Sequence, residues 1–445
     1  MKPLLVFSIV LLVLTTPICS AQTVLMNDSI QNESVPVRMD RSKLNIGAYI
    51  LQPYARTEQH VREIADCGID FMTWVPYDRR LLDLFQKYHI GAVVNNVVPG
   101  WWGGDGKDAG LLSTTHPLEV YERGAARFRD HPAVWGIDIG DEPSALDFPY
   151  YGQVFTRVDE LFPHQFPFLN LYPNYASVSQ NTSEQTINQL GTPTYREHIA
   201  QYVKYVPSDY ICYDFYLYSI NVHQAYENLR VVSDACLGTG RSLWIVLQVN
   251  SNKEDVWITE NELRFQAFTA MAFGAENILW GCYTAGWWYN NVLDKEGRKT
   301  EQYDKLRRVN AEIHRLGPSY MQYRRVRTDF VSFEGTEWLK DVLQASVPSL
   351  SNGIFTQLHT DDNAPLVVGT MLSRSGDGAS AVFVCAADDP YDEHPVTHRL
   401  SFSAEGRRIR ALGTQGDVEV TVGDDGTYSL DLASNQAVLI EALVD

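Results

Sequence analysis

The chain has 445 residues, 45% of them hydrophobic, 12% aromatic and 20% charged, a composition that excludes disorder and supplies a sizeable core. Lys and Arg total 36 against 55 Asp and Glu, a formal charge of -19. A surface that acidic repels phosphate backbones and anionic lipid, so no nucleic-acid partner is expected.

The chain opens with Lys2, an apolar run from Leu4 to Leu14 and small residues at Ser20-Ala21, which together read as a cleaved secretory signal over residues 1–21. Thr16-Pro17-Ile18 ahead of Cys19 is a poor lipobox, so the expectation is soluble export, secreted or periplasmic, without lipid anchoring. No later segment approaches the roughly 18 apolar residues of a membrane span. The five cysteines left after cleavage, Cys67, Cys212, Cys236, Cys282 and Cys385, lie far apart. They form neither a CxxC nor a zinc spacing and read as small buried residues, and any disulfide pairing stays open.

Residues 22–43 are polar and irregular, a loose start to the mature chain. From Leu44 a regular alternation begins. Strand candidates run Leu44–Leu51, Ile69–Val75, Ile90–Val98, Val134–Gly140, Phe166–Tyr172, Tyr210–Tyr216, Leu243–Val249 and Asn277–Tyr283. Between and after them helical periodicity spans Thr57–Cys67, Arg79–Tyr88, Leu118–Arg129, Tyr151–Leu161, Tyr195–Tyr205, His223–Cys236, Thr259–Phe273 and Glu301–Leu316. Thr259 with Glu262 three residues on is a capping box. Eight βα units within residues 44–320 predict a (β/α)8 TIM barrel. After Pro318 short β-branched runs (Leu366–Leu372, Ala379–Cys385, Thr397–Phe402, Val418–Val422, Ala437–Leu443) alternate with Gly- and Asp-rich turns, predicting an all-β sandwich over residues 321–445.

In such a barrel the chemistry sits at the C-terminal ends of the strands. The fourth strand ends Asp138-Ile139-Gly140-Asp141-Glu142-Pro143. Period-two alternation points Asp138, Gly140 and Glu142 one way and Asp141 the other. The bland reading is a capping Asp beside a solvated Glu. At this string the chain resembles the Asn-Glu-Pro acid/base motif of the large clan of retaining (β/α)8 glycoside hydrolases. The closing segment, with Glu262-Leu263-Arg264-Phe265-Gln266-Ala267, Ile278-Leu279-Trp280-Gly281-Cys282-Tyr283 and Leu293-Asp294-Lys295-Glu296-Gly297, resembles family 42-like β-galactosidases. The likeness covers roughly residues 44 to 320.

The resemblance implies a glycosidase acting on an oligo- or polysaccharide, with Glu142 as general acid and then base. It departs from the clan twice. Asp141 stands where the clan has Asn, and the seventh strand offers Gln248, an amide, where the clan has a nucleophilic Glu. Three readings follow. Asp214, at the end of the sixth strand in Tyr213-Asp214-Phe215-Tyr216, is the second carboxylate, with Glu254 and Glu260 as further candidates. Asp141-Glu142 is instead a substrate-assisted pair like that of N-acetylhexosaminidases. Or the barrel binds sugar without cleaving it.

Trp74 ends the second strand, Trp101-Trp102 follow the third in a Gly-rich loop and Trp287-Trp288-Tyr289 follow the eighth, where aromatic faces suit a pyranose. Asn95-Asn96 and Asn170, at or near the ends of strands three and five, are candidate partners for hydroxyl groups, and Tyr216 and Gln248 are further candidate substrate-binding residues. No HExxH, Gly-x-Ser-x-Gly, Walker loop or dinucleotide fingerprint occurs, so neither a metal nor a cofactor is expected.

Overall fold

The computed structural model describes residues 39–103, 108–176, 189–334, 336–342, 344–392 and 394–443. The expected signal, Cys19 and most of the expected loose segment lie outside the described residues.

Eight parallel strands close into a barrel: β1 (Asn45–Tyr49), β2 (Phe71–Val75), β3 (Gly91–Val94), β4 (Val134–Asp141), β5 (Phe166–Leu171), β6 (Tyr210–Phe215), β7 (Ser242–Gln248) and β8 (Ala275–Gly281). Closure is made by β1 against β8, from Asn45 opposite Asn277 to Ala48 opposite Trp280. Their strands are buried along nearly their whole length, which is why they read as continuous apolar runs. Inside, Trp244 stacks on Tyr210 at 4.2 Å, with Phe71, Phe166 and Phe168 around them. At the strand-start end the Arg41 guanidinium lies 4.8 Å above the Trp244 ring, so the interior is packed rather than hollow.

The helices are α1 (Glu58–Asp66), α2 (Arg79–Lys87), α3 (Leu112–Thr115), α4 (Leu118–Arg127), α5 (Phe148–Leu161), α6 (Tyr195–Tyr205), α7 (Val222–Thr239), α8 (Glu260–Ala272) and α9 (Glu301–Tyr320). Side chains of Thr57, Asp78, Thr194, Asn221, Thr259 and Thr300 accept from the first-turn amides of their helices, and Thr259 and Glu262 complete the expected capping box. Two expectations need correction. The single turn α3 is an addition inside the β3 loop, and α9 does not stop at Leu316 but carries Pro318 in its last turn. A proline there removes one amide near the helix end, and the Tyr320 hydroxyl, whose single proton is shared between Met271 O and Ala275 O at 2.9 Å each, anchors the turn to the barrel.

The remaining strands are β9 (Tyr323–Val331), β10 (Ser346–Val347), β11 (Leu350–Asn352), β12 (Phe355–Thr360), β13 (Leu366–Ser373), β14 (Ser380–Ala386), β15 (Thr397–Ser403), β16 (Arg408–Gly413), β17 (Gly416–Asp417), β18 (Thr421–Val422), β19 (Tyr428–Ala433) and β20 (Ala437–Leu443). They form a seven-stranded sheet in the order β10-β9-β13-β14-β20-β16-β17 and a five-stranded sheet in the order β11-β12-β15-β19-β18. Val331, Leu358, Val368, Val382, Phe402, Leu430 and Ile440 fill the space between them. The expected strand Val418–Val422 shrinks to Thr421–Val422, and β9, β10, β11, β12, β16, β17 and β19 were not expected. The other face of the large sheet covers α8, where Thr328 Oγ1 donates to Ala272 O. That explains why α8 is buried on nearly every side: it lies between barrel and sheet.

Candidate active site

A cavity of about 470 Å³ opens at the C-terminal ends of the strands. It is lined by seven aromatic residues (Tyr49, Trp74, Trp102, Tyr175, Tyr216, Trp287 and Trp288), three carboxylates (Asp141, Glu142 and Asp214) and Asn170. Among the described residues no Lys, Arg or His lines it.

The end of β4 is built to bring two successive acids to this cavity. Opposite β5, Asp138 pairs with Phe168 but Gly140 with Leu169 and Asp141 with Asn170, so β4 carries an extra residue at Ile139. This bulge resets the alternation. Asp141, expected to face outward, therefore turns inward and accepts from Asn170 Nδ2 at 3.0 Å. Asp138 stays buried behind the site, accepting from the Gly140 amide. A Cβ on Gly140 would meet Tyr151 Oη at 2.2 Å and Trp101 O at 2.7 Å, so only glycine fits the bulge.

Beside β4 the Trp101–Gly103 segment runs as a short parallel strip, Trp102 opposite Asp141. Asp141 N donates to Trp101 O at 2.7 Å and Gly103 N to Asp141 O at 2.9 Å. The strip brings Trp102 over the acid, and its Nε1 donates to Glu142 Oε2 at 3.0 Å. Trp102 is otherwise 67% exposed, a ring offered to the cavity.

Asn170 organises the other two carboxylates. Its Nδ2 donates both to Asp141 and to Asp214 Oδ1, the latter at 2.7 Å, so these oxygens lie no farther apart than the two bonds laid end to end. The Cys212 thiol donates to Asn170 Oδ1 at 3.4 Å, fixing which end of the amide faces the acids. Tyr175 Oη donates to Asp214 Oδ2 at 3.4 Å.

Burial first, then the charges of Asp214 and Asp141, push the Glu142 carboxyl well above the usual range. Burial and the Asp141 charge raise Asp214 to about 7, and burial raises Asp141 to about 6 against the Asn170 and Glu142 amide hydrogen bonds that lower it. Among the described lining residues no cation offsets them, so each of the three acids is held above its ordinary value. Three lining residues, Trp74, Glu142 and Trp288, hold φ of 53°, 46° and 66°, a conformation bulky side chains avoid. Such strain collects where geometry serves a site.

Of the sequence-predicted residues, the structure brings together Glu142, Asp214, Asp141, Trp74, Trp102, Tyr216 and Trp287. Asn96, Trp101 and Gln248 are not among the lining residues. Asn96 is exposed and accepts from Tyr77 N at 2.7 Å, pinning a loop. The Trp101 ring is buried edge-on to His116, and its role is the backbone contact to Asp141. Gln248 is buried and spent on its neighbours: Oε1 accepts from Tyr218 N at 2.9 Å, and Nε2 donates to Asn250 O at 3.0 Å and Ser219 Oγ at 3.3 Å. Asn250 Nδ2 in turn donates to Trp287 O at 2.7 Å, so the Gln248 amide ties together loops that carry aromatic walls. Glu254 is exposed, and Glu260 pairs with Arg264 and Arg308.

Tyr49 and Tyr175 are lining residues the sequence reading passed over. Tyr49 ends β1 and carried the same strand-end signal as Trp74, whereas Tyr175 lies beyond β5 where no periodicity points. Among the described residues, no group of three or more His, Cys, Asp or Glu is placed to hold a metal ion, and Cys67, Cys212, Cys236, Cys282 and Cys385 are buried free thiols.

No family model and no curated protein matches the chain. Solved structures resemble it distantly. Xylanase 10B from Thermotoga maritima is 14% identical, covering 62% of this chain and 98% of its own, with a TM-score of 0.41. A putative α-L-fucosidase from Bacteroides thetaiotaomicron is 12% identical over 62% of this chain and 98% of its own, TM-score 0.43. A glycoside hydrolase family 5 mannosidase from Rhizomucor miehei is 12% identical over 60% and 92%, TM-score 0.38.

Proposed function

We propose that the chain is an exported glycoside hydrolase acting on an oligo- or polysaccharide, with Glu142 as the acid that protonates the departing glycosidic oxygen and the base that then activates water. The observation that carries this reading is the placement of Glu142, Asp141 and Asp214 on one aromatic-walled cavity at the C-terminal end of the barrel. A general acid must keep its proton near neutral pH, and burial beside two other acids supports that for Glu142. A second carboxylate must ionise, and Asp214 on β6, held by Asn170 on the neighbouring β5 and by Tyr175 beyond it, is assigned that task. The aromatic rings present flat apolar faces to the sugar and exclude water.

One observation favours a second mechanism at the same site. The inward turn of Asp141 at the β4 bulge supports a reading in which Asp141 orients a 2-acetamido group whose oxygen attacks the anomeric carbon, a reaction that needs no carboxylate at Gln248.

The test is a panel of neutral and 2-acetamido glycosides with wild type and Glu142→Gln. Turnover on at least one substrate, lowered by roughly two to four orders of magnitude in Glu142→Gln, is expected. Unchanged turnover in the variant removes Glu142 from the reaction. Strict dependence on the acetamido group selects the Asp141 mechanism. Sugar binding without turnover on any member selects a non-catalytic barrel.

A further inference from the structure

Tyr216, a cavity wall, is followed directly by the single turn Leu217–Ser219, and this turn is held from two sides. Within the barrel Gln248 grips the Tyr218 amide and the Ser219 hydroxyl. The other side is met by the β-sandwich. The Tyr218 ring lies 5.8 Å from that of Tyr391, inclined at 69°, and Tyr391 stands edge-on to Trp338 at 5.4 Å and 88°. Tyr391 lies in the loop between β14 and β15, which is itself anchored: Asp388 accepts from His398 on β15, Tyr391 N donates to Asp389 Oδ1 at 2.9 Å, and Asn261 Nδ2 at the start of α8 donates to Asp392 O at 3.0 Å. The Tyr218 hydroxyl donates to Glu262 O, so the tyrosine stands between α8 and the sandwich loop.

On the glycosidase reading, we infer that Tyr391 is a positioning residue for sugar binding: the sandwich braces Tyr218 through it and thereby sets the Tyr216 ring, which meets Trp287 at 5.9 Å and Trp288 at 4.9 Å. Its 54% exposure argues against a role in the hydrophobic core. Among the described residues its hydroxyl makes no hydrogen bond, so the ring rather than the phenol does the bracing.

Full-length Tyr391→Ala and Tyr391→Phe are compared with wild type by hydrogen exchange over residues 216–220 and by kinetics on a substrate from the panel. Tyr391→Ala is expected to exchange this segment faster, with the barrel strands unchanged, because local opening is governed by local contacts. KM should rise roughly three- to tenfold, the scale of one aromatic pair, with kcat within about twofold. Tyr391→Phe should match wild type in both. Unaltered exchange in Tyr391→Ala overturns the brace, whatever the activity. Faster exchange with unchanged KM overturns its link to binding. Should no glycoside be turned over, the glycosidase reading fails separately, and exchange alone decides whether Tyr391 braces the turn.

Discussion

Glu142 is held by three features: a left-handed backbone, the Trp102 indole on one carboxyl oxygen, and two neighbouring acids. After burial, Asp214 is the largest influence keeping its proton in place. Replacing Asp214 with Asn removes that charge together with the assigned second carboxylate, so turnover should fall steeply, and in the activity that remains the Glu142 pKa falls and the alkaline limb of the kcat/KM profile should move to lower pH. A limb that stays in place would separate Asp214 electrostatically from the acid. Gln248→Glu gives a contrasting expectation. A carboxylate there loses the donor to Asn250 O and Ser219 Oγ outside the cavity lining, so it should not act as a nucleophile. Turnover is expected to fall, and activity above wild type would contradict this placement. At this scale the sequence announced Glu142 through the strand-end string before Pro143, but not the orientation of Asp141. Alternation is a property of regular strands, and a bulge is set by the partner strand, here by Leu169 following Phe168 in register one residue early.

Among the elements, the strip Trp101–Gly103 is the least tolerant piece of the site. A Cβ on Gly103 would lie 1.5 Å from Glu142 O, closer than any side chain can approach. Gly103→Ala must therefore push the strip off β4, carrying Trp102 from the Glu142 carboxyl, and activity should drop at least tenfold while circular dichroism shows the barrel intact. The β-sandwich holds a different device. His398 on β15 lies between Asp362, 2.7 Å from Nδ1, and Asp388, 3.1 Å from Nε2. The Asp388 hydrogen bond first, then that of Asp362, raise the imidazole from 6.5 to about 9 against the pull of burial. A pKa raised on folding gives stability that is complete below about 6.5 and is lost as pH rises through about 9. Wild type should lose melting temperature between pH 7 and 9.5, and His398→Gln should lose less over that interval. Equal slopes would show the clamp stays neutral. The barrel strands were readable because burial on both faces writes a continuous apolar run. In contrast β9 was not, because Arg324, Arg325, Arg327 and Asp329 interrupt it and Arg325 is buried only through its pair with Asp234 and its bond to Thr328.

Over the whole molecule the same acids that form the site also set how stability follows pH. Asp138, Asp141, Glu142 and Asp214 are all raised in the fold, chiefly by burial, Asp141 to about 6 and Asp214 to about 7. Between the ordinary carboxylate value of 3.8 and these raised values, the folded chain holds protons that the unfolded chain has released. Stability therefore falls as pH rises through this window and grows as pH drops within it. The net charge of -19 acts in the same sense, since acidification relieves self-repulsion. Below about 4 the sign reverses. Exposed acids such as Glu58 beside Lys87 and Asp83 beside His131 are lowered by their partners, and protonating them removes those interactions. Melting temperature should thus peak on the acid side of neutrality, near pH 5 to 6, rather than at pH 7 to 8. The double variant Asp141→Asn with Asp214→Asn replaces two of the strained acids by neutral amides of similar shape. It should melt higher than wild type at pH 8, equal or lower at pH 5, and show a flatter profile between. A parallel pair of profiles, displaced but equally steep from pH 5 to 8, would mean that surface repulsion alone sets the slope and that the cavity acids ionise without cost to the fold.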